Sequence, residues 1–321
     1  MFSLFRKKGS GDKSNEQEPK PNLPDWAEFF SAEEYETFIG MVQAYFRDRG
    51  IPVDINDGVV ISDDQELGLG QMGLQNIAQL CRQIEPESWN EAITGHFDSL
   101  VESSRFSREF EKFGNDFDFA KQYLGVRLYA AGSIASIGTD KVVGDFLTED
   151  IFRMLVYDFP QSVHNVQPSQ LEAWSRSREE VFETGRNNIR ENYEFMIHDH
   201  TIGEVPIKVV DGEHFFVPNI IFDLENNPEL LGTHGALIGL PHRHAAIFYP
   251  IETAEVIPAL HTLIPLVNGM YEEGPGSVSN NIILYQNGTF TKIPYSIEND
   301  GLTITPPKSF VDLLTYLSSE E

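Results

Sequence analysis

Turn chemistry constrains this chain more than any other feature. Three tight-turn signatures, Asn56-Asp57-Gly58, Asp211-Gly212 and Asn287-Gly288, stand between short β-branched or aromatic runs. Asparagine, aspartate and glycine tolerate the positive φ that two-residue hairpin turns need. IPVDI with VVIS over 51–62, IKVV with EHFFV, and NIILYQ with TFTKIPY therefore read as antiparallel hairpins. Pro241 parts two more strands, Ala236 to Leu240 and Ala245 to Tyr249, and implies a bulge or an edge because proline cannot donate to a ladder. Ile151 to Tyr157 is nearly continuous in apolar residues, as central strands are.

Helices are marked by their starts. Ser31-Ala32-Glu33-Glu34, Ser88-Trp89-Asn90-Glu91 and Ser177-Arg178-Glu179-Glu180 are capping boxes, each followed by apolar residues at helical spacing. Leu74, Ile77, Leu80, Cys81 and Ile84 share one helical side, and an apolar helix over 254–271 contains Pro265. A short helix over 309–317 follows the last hairpin, and Gly185 allows close packing in the Ser177 helix. Strands and helices mix without strict alternation, so the expected class is α+β: a mixed, mostly antiparallel sheet packed against several helices. The expected organisation is a flexible leader over 1–25, a helical portion with a hairpin over 26–104 and an α+β core over 105–321, with 26–321 as one continuous domain the alternative. The leader is expected because its Gly, Ser, Pro and charges cannot bury enough surface to offset chain entropy.

The formal net charge is -27, and the first 25 residues hold five basic and four acidic side chains, so the remainder carries -28. A body this acidic repels nucleic acid and anionic lipid and favours basic partners or metal cations. Cys81 is the only cysteine, which excludes an internal disulfide and any multi-cysteine zinc site and suits a reducing cytosol. It reads as a small buried hydrophobe. No stretch is long and apolar enough for stable membrane insertion.

Gly68-Leu69-Gly70-Gln71-Met72-Gly73 matches a dinucleotide fingerprint literally, but Asp63-Asp64-Gln65-Glu66 precedes it and a helix occupies the place of the second strand. It reads as a turn leading into that helix. No EF-hand, P-loop, nucleophile elbow or zinc-protease helix is present. The chemistry-bearing feature is histidine: seven of the nine lie between His198 and His261, four of them in the pairs His198-Asp199-His200 and His242-Arg243-His244. Residues two apart on a strand share a face, so each pair offers two imidazoles to a divalent transition metal. Asp223 or Glu225 would complete such a site. Ordinary hydrogen bonding is the competing reading, and pH sensing a third.

Several segments together resemble the YtpQ-like family of bacterial proteins. They are Phe152 to Asp158, the Leu171-Glu172-Ala173-Trp174 turn, the capped Ser177 helix through Asn187 and Asn188, Gly235 to His244, and the Tyr285-Gln286-Asn287-Gly288 hairpin. Their order and spacing match over roughly residues 65 to 296. The resemblance implies a cytosolic mixed α/β fold and leaves the activity open. Much of that family carries aspartate where this chain has His244, which argues against a shared mechanism there. The functional expectation is a soluble cytoplasmic, non-enzymatic module binding a protein or peptide, without nucleic acid. The alternative is a metal-dependent, hydrolase-like enzyme using His242, His244, His198 and His200.

Overall fold

Ser31 does what its position demands. Its hydroxyl accepts from Glu34 N at 3.2 Å while Glu34 Oε2 accepts from Ser31 N at 2.7 Å, and helix α1 (Ala32–Asp48) follows. The computed structural model describes residues 23–63, 70–160, 162–298 and 301–320, so the expected leader lies, through residue 22, outside the described residues. The chain divides into two units at Arg108/Glu109.

In the first unit, Asp57 and Gly58, at φ 44° and 74°, turn β1 (Asp54–Asn56) into β2 (Val59–Ile61). A Cβ on Gly58 would sit 2.7 Å from the Trp26 indole, so steric room as well as φ requires glycine. β3 (Gln71–Gly73) pairs with β2, which corrects the reading of this stretch as a turn leading into the helix; Gly68 and Leu69 lie outside the described residues. The reason is the cross-strand pair Val60–Met72, both buried, flanked by exposed Gln71 and Gly73. α2 (Gln75–Gln83) follows, then α3 (Trp89–Glu111), which runs unbroken through residues 104–105. Phe110, which belongs to the second unit, packs there against Phe119, Tyr157 and Phe159. Phe38, Phe46, Ile77, Cys81, Trp89 and Phe97 fill the first unit's core.

The second unit opens with a single turn α4 (Phe117–Ala120), then β4 (Leu124–Ala130), α5 (Ala131–Ile137), β5 (Gly144–Thr148), β6 (Ile151–Phe159) and β7 (Ser162–Asn165). β6 is central, with β4 on one side and β5 and β7 on the other. α6 (Pro168–Trp174) replaces the short turn expected at Leu171–Trp174, because Pro168 and the Gln167–Gln170 box start a helix there. α7 (Arg178–Asn192), capped by Ser177, crosses β4 at Gly185, where a Cβ would lie 3.0 Å from Gly125 backbone.

β8 (Met196–Ile202) and β9 (Val205–Asp211) form a hairpin at Gly203, φ 63°. This corrects the hairpin expected at Asp211-Gly212. Beyond Gly212 the chain leaves the sheet for a 3₁₀ segment, Val217–Phe222, in which Pro218 has no N–H for a ladder. β10 (Ala236–His242) and β11 (Ala245–Pro250) follow, then α8 (Val256–Glu273), which keeps Pro265 inside it. Asn287 and Gly288, at φ 50° and 77°, join β12 (Ile282–Gln286) to β13 (Thr289–Ile293). A further hairpin, β14 (Tyr295–Glu298) with β15 (Gly301–Ile304), precedes α9 (Lys308–Glu320).

The six-stranded sheet runs β13-β12-β10-β11-β9-β8. One face packs Leu237, Ile247 and Leu284 against Leu263 and Val267 of α8 and Leu313 of α9. The other packs Ile238, Ala246, Phe248 and Ile283 against Val217, Ile221, Leu128 and Ile151. Among the described residues every ladder is antiparallel, and the class is α+β. No helix among the described residues is long and apolar enough to cross a membrane.

Candidate functional site: a cationic cluster at the β10–β11 turn

Pro241 builds the site by breaking the sheet. β10 pairs with β12 from Ala236 to Gly239, and its register against β11 shifts between Gly239 and His242, the bulge that proline implies. The freed carbonyls of Leu240 and Pro241 accept from Ser279 N and Val278 N, both at 2.9 Å, and Arg243 N donates to Gly276 O at 3.1 Å. Residues 274–279 thus bind the turn. A Cβ on Gly274 would lie 2.1 Å from His242 Cδ2, and one on Gly276 would lie 2.7 Å from Arg243 Cδ, so both glycines let the backbone close on these side chains.

Topology then delivers the other members. Arg127 and Tyr129, two apart on β4, share a face, and the Arg127 guanidinium lies 4.9 Å from the Tyr129 ring centre. Phe215, 40% exposed, lies near two arginines: Arg243 Cζ is 4.3 Å and Arg127 Cζ 5.6 Å from its ring centre. Neither arginine makes an ion pair among the described residues, and Arg127 Nε is buried with no hydrogen-bond partner. Burial, and after it Arg127, pulls the Arg243 pKa down, while burial pushes that of Tyr129 up. Uncompensated positive charge is therefore concentrated in a chain of net charge -27.

Three imidazoles border the arginines, and their nitrogens are largely committed. Phe216 N donates to His214 Nδ1 at 3.2 Å, and His214 Nε2 donates to the Glu194 carbonyl at 2.9 Å, which fixes the neutral tautomer. His244 N donates to His242 Nδ1 at 3.2 Å, and Arg243 Nε donates to His244 Nε2 at 3.1 Å. Burial lowers the pKa of all three; His244 and Arg243 lower that of His242 further, whereas backbone at Gly212 and His214 partly restores that of His244. Behind them, Tyr193 donates to Asp158 Oδ2 at 2.6 Å and lies against His214 at 4.7 Å, and burial raises the Asp158 pKa.

The expected metal ligands are not brought together. His242 shares a row with Ala245, Asp211 and Met196, so three strand spacings of about 4.8 Å set it roughly 14 Å from β8. With metal–imidazole bonds of about 2.1 Å, the two pairs cannot hold one ion. His198 and His200 lie on exposed β8 with ring centres 6.4 Å apart, and His198 Nε2 is 3.4 Å from Asp211 Oδ1. Asp223 is held elsewhere by Arg190, Asn226 and Asn227, and with Glu225 it lines a cavity beside α7. No group of three His, Cys, Asp or Glu side chains among the described residues could hold a metal ion. At His242 and His244 a cation would also face two arginines, so that donor set does not fit a divalent metal.

The pair His242 and His244 marked the place, but Arg127, Tyr129, His214 and Phe215 were missed. Their one local cue is the period-two placement of Arg127 and Tyr129; the meeting with Phe215 depends on β4 and the 3₁₀ segment packing together. No protein-family model, curated protein or solved structure matches this chain, so the YtpQ-like resemblance rests on the quoted segments alone.

Proposed function

We propose that the protein is a cytoplasmic, non-enzymatic module that binds a protein or peptide partner by its carboxylates at the Arg127–Phe215–Arg243 face. The observation carrying this reading is the pair of arginines, without carboxylate partners among the described residues, beside an exposed phenylalanine. Guanidinium groups pair bidentately with carboxylates, and Phe215 adds an apolar anchor beside them. The surrounding negative charge repels a polyanion at long range, which favours a short acidic segment with an aromatic neighbour over nucleic acid. A buried Cys81, its thiol pushed up to about 11 by burial, suits a reducing compartment.

Fluorescence anisotropy tests the proposal with a labelled ten-residue Glu/Phe peptide and its Lys/Phe counterpart in 0.15 M salt. The acidic peptide should bind and the basic one should not. R127Q and R243Q should each weaken binding about tenfold or more, since a charge-assisted hydrogen bond contributes about 1.5–3 kcal/mol. Equal binding of both peptides, or affinity indifferent to both substitutions, defeats it.

A further inference from the structure

Beside α7 lies a cavity of about 280 Å³, walled by that helix, Phe195 and residues 219–225. Part of its polar lining is already satisfied. Arg190 Nη1 is 3.4 Å from Asp223 Oδ1, Arg190 Nη2 donates to Asn187 Oδ1 at 2.9 Å, and Asn226 donates to Asp223 Oδ1 at 2.6 Å. These groups brace the wall.

Three charges facing the same space are left over. Arg186 has the Phe222 ring at 6.0 Å but forms no ion pair among the described residues, and neither Glu183 nor Glu225 does. Opposite charges that line one small cavity without closing on each other leave room for a ligand that carries both signs. Once Arg190 and Asp223 are set against each other, one arginine faces two glutamates. A phosphate or dicarboxylate is thereby disfavoured, and a neutral zwitterion or a monocation is favoured. Phe195, Phe222 and Ile189 supply apolar wall for a side chain, and the volume suits a molecule of a few heavy atoms beyond its charged groups.

We propose that this cavity binds a small zwitterion of the α-amino-acid class, its carboxylate on Arg186 and its ammonium on Glu183 and Glu225. The site is separate from the cationic turn, and its test reads out independently. Thermal melting of the full chain is measured with each of the twenty amino acids at 10 mM, with acetate and methylammonium as single-charge probes, and binders are titrated calorimetrically. At least one amino acid should raise the melting temperature, as ligand binding to the folded state requires. R186Q and E225Q should each cut its affinity tenfold or more while melting near the wild type without ligand. No shift with any amino acid, an equal shift with acetate or methylammonium, or unchanged affinity in both variants overturns the proposal.

Discussion

Two glycines near the end of α8 answer the same substitution with opposite signs. Gly274 has ordinary extended backbone, φ -84° and ψ 150°, so alanine there meets no conformational penalty. It meets atoms instead: its Cβ would lie 2.1 Å from His242 Cδ2 and 2.6 Å from Met270 O. The backbone oxygen cannot move aside by a rotamer change, and His242 is held by residues 274–279, so overpacking of about 1–3 kcal/mol follows for G274A. For a domain of this size, each kcal/mol moves the midpoint by about 2–4 °C, giving a fall of roughly 2–12 °C. Gly269, inside the same helix, has nothing within 4 Å of a built Cβ. G269A removes helix-glycine entropy there and should gain about 0.5–1 kcal/mol, a rise of roughly 1–4 °C. Melts followed by circular dichroism at 222 nm would read both. Because G274A presses on His242, it should also weaken the acidic peptide, whereas G269A should not. A G274A melt within 1 °C of wild type, or a lower melt for G269A, would refute the claim that the Gly274 approach holds the turn.

Burial holds the pKa values of His96, His164, His214, His242 and His244 below the ordinary value, so near pH 6.5 the unfolded chain takes up protons that the folded chain refuses. Stability is therefore lost as pH falls through that range; Asp158, raised by burial, works the other way, one carboxyl against five imidazoles. The urea midpoint should be lower at pH 5.5 than at pH 7.5, and an equal or higher value at pH 5.5 contradicts the assignment. Cys81, fully buried with its thiol pushed up to about 11, should resist a disulfide reagent at pH 8 until urea unfolds the chain, and fast labelling of the folded protein would exclude its core placement.

What could be read from the residues was what short-range chemistry decides. Ser31 and Ser177 cap their helices, Asn287-Gly288 turns its hairpin, and Pro241 breaks register where it stands, because each acts on its own backbone neighbours. Asp211-Gly212 misled for the same reason. It is a competent turn, but the partner of β9 is β8, reached through Gly203, and the apolar run after Gly212 is spent on the core beneath the sheet. The candidate site follows the same division. The Pro241–His244 break was visible locally, whereas the approach of Arg127 to Phe215 is a product of packing that no spacing announces.

β8 closes the six-stranded sheet at one side, pairing among the described residues only with β9. An edge strand presents a row of main-chain donors and acceptors on which another chain can grow. Along it stand His198, Asp199, His200 and Thr201, all exposed, with Lys208 Nζ 2.6 Å from Asp199 Oδ1. A newcomer strand would have to strip water from an ion pair and two imidazoles to add itself here. Polar and charged side chains along an edge strand disfavour its pairing with another sheet, so the row from His198 to Thr201 makes β8 a poor template for edge-to-edge growth.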